Sequence, residues 1–234
     1  MPNRQPESAA GWPGEPRLHL ITTCTLRKAH SAGETVFPCS PDSLQVTGER
    51  WRRQIAHAAD ENRNVMPAGE LYRGAHWLQA RKIVARWPGT ELWAISAGLG
   101  LRHHADPAVP YEATFHTMPF PGREVWALLT ARPPLPGHCA SLAELMRRYP
   151  NDSYVIAGSP VYISATEQDI QAGIAELTDA CNQLTIVTSQ GYRGELEQYV
   201  SRSHAGMLSA LKTNMTCLNI ALAGKLIADR CKSG

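Results

Sequence analysis

A cysteine and two basic residues stand close together at residues 22–28 of this chain, in the sequence Thr-Thr-Cys-Thr-Leu-Arg-Lys. A thiol beside Arg27 and Lys28 could react as a thiolate, because nearby positive charge favours the ionised, nucleophilic form. Thr23, one residue before Cys24, is a candidate substrate contact. The alternative is that Cys24 packs at the end of a strand while both cations are solvated.

A second cluster of small residues lies at residues 95–101, in the sequence Ile-Ser-Ala-Gly-Leu-Gly-Leu. Small side chains let another group approach the backbone closely, and free N–H groups in such a turn could hold an anion or a planar base. Ser96 and Gly98 are therefore predicted to bind substrate. The segment lacks the glycine spacing of a dinucleotide fold and the ending of a P-loop, so it does not indicate a nicotinamide or ATP site.

Titratable and aromatic side chains follow this turn. Tyr111 and Phe115 could stack on a nucleobase. The predicted proton carriers are His104, Asp106 and Glu112. The alternative is an exposed loop with incidental polar residues. The adjacent histidines at 103 and 104 predict no metal site, because consecutive residues seldom ligate one ion and no third ligand is evident in the sequence.

Residues 69–74, Gly-Glu-Leu-Tyr-Arg-Gly, begin a predicted helix and supply the other candidate substrate contacts. Glu70 suits the first turn of a helix for dipole reasons alone. Tyr72 is a further aromatic candidate, and Arg73 could grip a phosphate or pair with a carboxylate. Hydroxyl-rich turns at residues 158–160 and 188–194 are predicted to complete the rim of one cleft, although such turns are also ordinary loops.

The elements that position these residues alternate between strands and helices. The predicted strands, rich in β-branched and aromatic residues, are 17–22, 91–96, 153–157 and 183–189. Apolar spacing and capping residues such as Ser141 and Thr166 predict helices at 44–59, 71–87, 141–148, 167–180 and 206–229. This order predicts an α/β fold with a mixed or mostly parallel sheet flanked by helices and a long C-terminal helix.

The proline-rich residues 118–136 are the one internal boundary in the pattern. They enclose residues 123–130, a predicted strand or short helix. A connection of this kind more often crosses the surface of one domain than separates two, so residues 17–234 are predicted to form a single α/β domain.

Composition narrows the class of protein further. A net charge of +2 is too small for indiscriminate nucleic-acid binding, although a local basic groove is compatible with it. The six cysteines are far apart, which argues against a structural zinc site and indicates reduced thiols. The apolar runs are shorter than the roughly 20 residues of a membrane span. Residues 1–16 lack the apolar core of a signal peptide, so they predict a disordered tail on a cytoplasmic protein without a membrane partner.

Four motifs, taken in order, resemble a known family. They are residues 21–28, residues 71–74, residues 95–101 and residues 110–115, the last with the sequence Pro-Tyr-Glu-Ala-Thr-Phe. The order resembles an uncharacterised bacterial domain family related to the peroxide-stress protein YaaA, and it is similar to the core domain of archaeosine synthase. The resemblance covers residues 17–118.

Archaeosine synthase acts on the nitrile of 7-cyano-7-deazaguanine in RNA, and related bacterial gene clusters place the same base in DNA. The DpdC proteins of those clusters are the closest functional analogues. The resemblance therefore implies hydration of the nitrile in DNA to 7-amido-7-deazaguanine, without a cofactor and with DNA containing the modified base as partner. Cys24 would form a thioimidate, and Lys28 or Arg73 would stabilise charge on nitrogen.

The chain departs from the synthase pattern behind the lysine, where Ala29, His30 and Ser31 replace the expected aromatic and hydroxyl residues. This difference favours water over lysine as the acceptor. Two other functions stay open: a non-catalytic YaaA-like DNA-binding stress protein, and an accessory subunit of a nucleic-acid modification or phage-defence system that binds other proteins of the pathway. The basic residues that would suit any polyanion, whether DNA or RNA, are Arg50, Arg52, Arg53, Arg81, Lys82 and Arg86.

Overall fold

A mostly parallel sheet forms the centre of the protein in the computed structural model, which describes residues 16–39, 42–61 and 64–233. The strands within these ranges are β1 (Leu18–Thr23), β2 (Met66–Pro67), β3 (Thr90–Ser96), β4 (Gly100–His103), β5 (Pro107–Ala108), β6 (Ser153–Ala157), β7 (Leu184–Ser189) and β8 (Val200–Ser203). Six of these described strands form one sheet in the order β4-β3-β1-β6-β7-β8, and β2 pairs with β5 separately. Only β4 runs antiparallel to its neighbour in that sheet.

The central strand β1 pairs in parallel with β3 on one side and β6 on the other. Parallel strands covered on both faces are apolar, and Leu20 and Ile21 are fully buried here. The buried polar side chain of His19 has partners on both ring nitrogens. Trp93 Nε1 donates to Nδ1 at 3.1 Å, so Nε2 carries the proton and donates to Asp152 Oδ2 at 2.9 Å.

Helices cover both faces of this sheet. The described helices are α1 (Leu44–Asp60), α2 (Ala68–Leu71), α3 (Ala75–Arg86), α4 (Gly122–Ala131), α5 (Leu142–Arg148), α6 (Pro160–Ile174), α7 (Ala180–Gln183) and α8 (Leu218–Ser233). The connections through α3 and α6 run in opposite directions along the sheet, so right-handed crossovers place these helices on opposite faces. α8 packs beside α3, while α4 and α5 pack against α6. The predicted α/β class is confirmed.

The predicted helix at residues 71–87 is divided into α2 and α3. Tyr72 is extended, and its backbone forms an antiparallel bridge with Lys28, a contact that helical spacing does not reveal. Gly74 then caps the start of α3 and lies against Thr25, so closely that a Cβ at Gly74 would lie 2.5 Å from Thr25 Cγ2. The break between α2 and α3 therefore allows residues 72–74 to pair with the residues that follow β1.

Two other predicted helices begin elsewhere. α6 starts at Pro160, seven residues before the predicted start, because proline fits the first turn of a helix. Thr166 is consequently buried within α6 and donates to Tyr162 O instead of capping. The C-terminal helix is confirmed, but it begins at Leu218 and not near residue 206. Lys212 has a φ of 47°, which interrupts the apolar stripe that predicted the longer helix.

Several other predictions have clear outcomes. Ser141 caps α5 by accepting from Glu144 N, as predicted, and residues 122–131 form a helix in place of the strand that was the alternative. The predicted tail at residues 1–16 lies outside the described residues except for Pro16. Buried hydrophobic side chains from Leu20 to Ile227 form one cluster, while the single domain stays a prediction. No described helix has the length and apolar character needed to cross a membrane.

Candidate active site

The parallel strands β1, β3 and β6 end at the same edge of the sheet. Cys24 directly follows β1, Ser96 ends β3, and Gly158 directly follows β6. The strand order reverses between β1 and β6, because β3 is added on one side of β1 and β6 on the other. Open α/β sheets bind ligands beside such a reversal, outside the carboxyl ends of the strands. The residues found there, called the carboxyl-end cluster, are Cys24, Lys28, Tyr72, Tyr111 and Tyr162.

The thiol of Cys24 lies just beneath the surface, with 6% of the residue exposed. Its backbone N–H donates to Ile95 O at 2.9 Å, which fixes the residue against the end of β3. The Cys24 Sγ lies 3.7 Å from Tyr162 Oη, and either atom could be the donor. Cys24 therefore packs at a strand end and also faces a polar group.

Backbone pairing brings Lys28 back over this strand end. Ala29 N donates to Leu71 O at 2.8 Å beside the bridge between Lys28 and Tyr72. The Lys28 Nζ donates to Thr25 O at 3.0 Å, which curls the side chain toward the cluster. The predicted pairing of a thiol with a nearby cation therefore has a defined backbone cause.

The Lys28 ammonium lies against an aromatic ring. Its Nζ is 4.2 Å from the centre of the Tyr111 ring, a distance at which the ring face attracts a cation. Burial lowers the pKa of Lys28, while negative charge on Cys24 and on Glu112 opposes that shift. A lowered pKa makes the ammonium a better proton donor near neutral pH than an exposed lysine.

Buried phenols surround the thiol. Tyr111 Oη lies 3.1 Å from Tyr72 Oη and 2.6 Å from Ser96 Oγ. Burial is the main cause that raises the pKa of Tyr72, Tyr111 and Tyr162 above the ordinary value, and negative charge on Cys24 raises each further. These side chains therefore keep their protons and can donate hydrogen bonds to charge that develops in the cluster.

The small turn after β3 is occupied by its own hydrogen bonds. Ser96 Oγ accepts from Leu99 N at 2.9 Å and from Gly98 N at 3.3 Å. The Gly98 carbonyl accepts from Trp51 Nε1 at 2.7 Å, and a Cβ at Gly98 would lie 2.6 Å from the Tyr111 ring. The sequence suggested that these N–H groups are free to bind an anion. In the structure they are not free, because Ser96 accepts from both of them. Ser96 and Gly98 instead shape the wall that carries Tyr111.

Thr23 and Phe115 also lie beside the cluster. His76 Nε2 donates to Thr23 O at 2.9 Å, and burial lowers the pKa of His76, which keeps its ring neutral. The Phe115 ring packs edge-on against Tyr162, with 4.9 Å between the ring centres. Phe115 is 7% exposed, so it supports Tyr162 more than it offers a free stacking face.

Glu70 and His104 lie away from the thiol. His104 N donates to Leu92 O at 2.9 Å, and Leu92 is four residues before Ser96 in β3. At about 3.3 Å per residue, that separation is about 13 Å along the strand. Glu70 and His104 instead line a separate cavity of about 410 Å³. The structure therefore does not bring these two residues to Cys24.

Both carboxylate oxygens of Asp106 accept hydrogen bonds at the same distant end of β3. Its Oδ2 accepts from His103 N at 2.7 Å, and its Oδ1 accepts from His138 N at 3.0 Å and contacts His138 Nδ1. The hydrogen bond from His103 is the main cause that lowers the pKa of Glu91, and burial lowers the pKa of His104. Glu112 is consequently the predicted proton carrier that stays near Lys28.

A cavity of about 420 Å³ opens beside Lys28 and Tyr111. Its other lining residues are Leu26, Ala29, His30, Ser31, Ala32 and Glu112. The volume falls within the roughly 300–1,000 Å³ of small-molecule pockets. Leu26 is 69% exposed, and the neighbouring Arg27 is also exposed. Arg73 N donates to Arg27 O at 2.9 Å, so these two exposed arginines are neighbours next to the cavity-lining residues 28–32.

Tyr162 and His76 belong to the site but were not predicted from the sequence. Tyr162 lies 138 residues from its partner Cys24, and only the turn at residues 158–160 marked that part of the chain. His76 lies two residues after Gly74, within a segment whose apolar spacing predicts a helix and gives no sign of a contact with Thr23. Neither contact has a local sequence signal, because the Tyr162 contact depends on the pairing of β1 with β6 and the His76 contact on the bridge between Lys28 and Tyr72.

Comparisons with protein-family models, with curated proteins and with solved structures found no match to this chain. The fold and the geometry of the carboxyl-end cluster therefore carry the functional argument.

Proposed function

We propose that this protein hydrates the nitrile of 7-cyano-7-deazaguanine in DNA to the amide of 7-amido-7-deazaguanine, with Cys24 as the nucleophile. The observation that carries the proposal is the position of Cys24 at the strand-order reversal, with a partly buried ammonium and protonated phenols around it. A nitrile carbon is a weak electrophile, so the reaction needs both a strong nucleophile and a proton for the nitrogen.

The first step adds the thiolate to the nitrile carbon. A carbon–sulfur bond forms, one π bond of the nitrile breaks, and the electron pair goes to nitrogen. Lys28 donates a proton to that nitrogen, which gives a neutral thioimidate. The lowered pKa of Lys28 favours this donation, and Tyr162, 3.7 Å from Sγ, can donate a hydrogen bond to the developing charge.

The second step adds water to the thioimidate. Water attacks the same carbon, Glu112 accepts a proton from it, and the thiolate departs when the carbon–oxygen double bond forms. Glu112 then passes its proton to the nitrogen, which stays on the carbon as the amide NH₂, and the second proton of the water returns to Lys28, so the net change is the addition of one water. Glu112 suits this role because it lines the cavity and interacts electrostatically with Lys28.

DNA as substrate is supported by the surface around the cavity. Arg27 and Arg73 are exposed and can contact phosphates, and Arg27 directly precedes Lys28 of the cluster. Leu26 is an exposed apolar side chain on the cavity lining. Enzymes that modify a base take it out of the stack, and an apolar side chain can fill the gap that the base leaves.

The test incubates the full chain with a duplex and with a single strand that each contain 7-cyano-7-deazaguanine, followed by mass spectrometry of the digested nucleosides. We expect a gain of one water on the modified base. Cys24→Ala should lower the rate by at least about a thousandfold, because no other thiol replaces the nucleophile. Cys217→Ala removes another buried thiol outside the cluster and should keep the full rate.

Three outcomes would redirect the proposal. Full activity of Cys24→Ala would overturn the thioimidate mechanism but leave the substrate in place. An unchanged base together with intact, salt-dependent DNA binding would favour the non-catalytic DNA-binding alternative. Activity that requires other proteins of the pathway would favour the accessory subunit.

A further inference from the structure

We propose that Glu91, His103 and His104 form a binding site for a transition-metal ion of the zinc class at the amino end of β3. One ligand atom from each residue lies within 4.8 Å of the others. This histidine cluster is separate from the carboxyl-end cluster, because β3 places about 13 Å between Leu92 and Ser96. The proposed hydration reaction uses none of its residues.

The sheet explains why these three side chains meet. Glu91 is the second residue of β3, and His103 ends the antiparallel strand β4 opposite Trp93. His103 Nε2 lies 2.9 Å from Glu91 Oε2, and the rings of His103 and His104 have centres 4.3 Å apart. Consecutive residues can face one ion here because β4 ends between them and the chain turns.

A third imidazole lies within reach. The ring of His138 has its centre 4.5 Å from that of His103. Asp106 holds His138 through both its backbone N–H and its Nδ1, which leaves Nε2 as the other ring nitrogen. A carboxylate that orients an imidazole in this way is the usual support of a metal-binding histidine. His138 is therefore the candidate for a fourth ligand.

The chemistry of the donors selects the ion. Imidazole and carboxylate ligands suit zinc and related ions, while calcium and magnesium prefer oxygen donors alone. An ion at this position would replace the proton that His103 and Glu91 share, since a metal ligand must be deprotonated. His104 lines the cavity of about 410 Å³, which gives the ion a route to the site.

The test loads the full chain with Zn²⁺, removes loosely held ions by dialysis, and measures bound zinc by elemental analysis. We expect one ion per chain. His104→Ala and the closely isosteric Glu91→Gln should each lower zinc affinity by at least about tenfold. The matched control is His57→Ala, which removes an exposed histidine 3.3 Å from Glu61 and should leave zinc binding unchanged.

Co²⁺ substitution distinguishes this site from binding by exposed thiols. We expect visible absorption bands of four- or five-coordinate cobalt that are lost in both site variants, without the charge-transfer band of a thiolate ligand. Zinc lost on dialysis of the wild-type chain, or zinc binding equal in the wild type and both site variants, would overturn the proposal. Neither measurement involves DNA, so the outcome is independent of nitrile hydration.

Discussion

The two ends of β3 carry opposite kinds of polar chemistry. At the carboxyl end, the carboxyl-end cluster combines a thiol, an ammonium and phenols, nearly all of them buried. At the amino end, the histidine cluster combines two imidazoles with one carboxylate and reaches the surface at His104. Burial suits a reaction that must hold protons at chosen atoms, whereas partial exposure suits the exchange of an ion. One strand therefore separates two proposed sites with different requirements.

The largest effects are expected from two variants, one in each cluster, that should each lower one property and leave the other intact. Lys28→Met should lower nitrile hydration by about 10²–10⁴-fold, the usual contribution of a general acid, while zinc binding stays intact. His104→Ala should have the reverse effect. Hydration rates and zinc content measured on both variants check this separation. Loss of both properties in either variant would show that the two ends depend on each other.

A second effect concerns a thiol beside the histidine cluster. Burial raises the pKa of Cys139 to about 11 from 9.0, which leaves about a hundredfold less thiolate than an ordinary cysteine has near neutral pH. We expect iodoacetamide to label Cys39, Cys181 and Cys231, which are exposed, well before Cys139. Peptide mass spectrometry over time gives the order, and early labelling of Cys139 would contradict its burial.

The packing of the carboxyl-end cluster can be tested at one glycine. Gly98→Ala places a methyl group 2.6 Å from the Tyr111 ring and should lower the free energy of unfolding by about 1–3 kcal/mol. Gly191→Ala is the control, because its nearest neighbour, Pro160 Cγ, lies 3.4 Å away. Urea unfolding of both variants gives the difference. Equal stability would mean that Tyr111 can move.

The smallest effect is a pH dependence of stability. The pKa of Lys28 is lowered in the folded chain by burial, so between that value and the unfolded value near 10.5 the unfolded chain binds more protons. The free energy of unfolding of the wild type should therefore rise with pH relative to Lys28→Met in that interval. Denaturant titrations at several alkaline pH values measure this difference, which a flat profile would contradict.

Local signals were sufficient for four of the six strands in the described sheet, though not for β4 and β8, and for part of the site. The four predicted strands correspond to β1, β3, β6 and β7, because buried parallel strands have a strong local composition. The position of Cys24 and Lys28 after β1 could be read in the same way. Most of the predicted helix 71–87 forms α3, but its start was wrong because apolar spacing continues through Tyr72, whose extended backbone depends on a bridge to Lys28.

The other features of the site could not be predicted, because they depend on contacts between segments that are far apart in the chain. Tyr162 reaches Cys24 only after β6 pairs with β1, and Glu91 joins His103 only through the hairpin of β3 and β4. The sequence showed no third ligand near the adjacent histidines for this reason, since Glu91 is 12 residues from His103 in the chain. The N–H groups of the small turn were expected to be free, but Ser96 accepts two of them.

The pairing of β1 with β6 also has a consequence during synthesis. Thr22 and its partner Ala157 are 135 residues apart, so the ribosome needs about 7 to 27 s to make the chain between them at its usual rate of about 5–20 residues per second. Throughout that interval the nascent chain therefore carries Cys24 without β6 beside β1 and without its contact with Tyr162. We expect this thiol to be open to oxidants and chaperones on the ribosome, although only 6% of the residue is exposed in the finished protein.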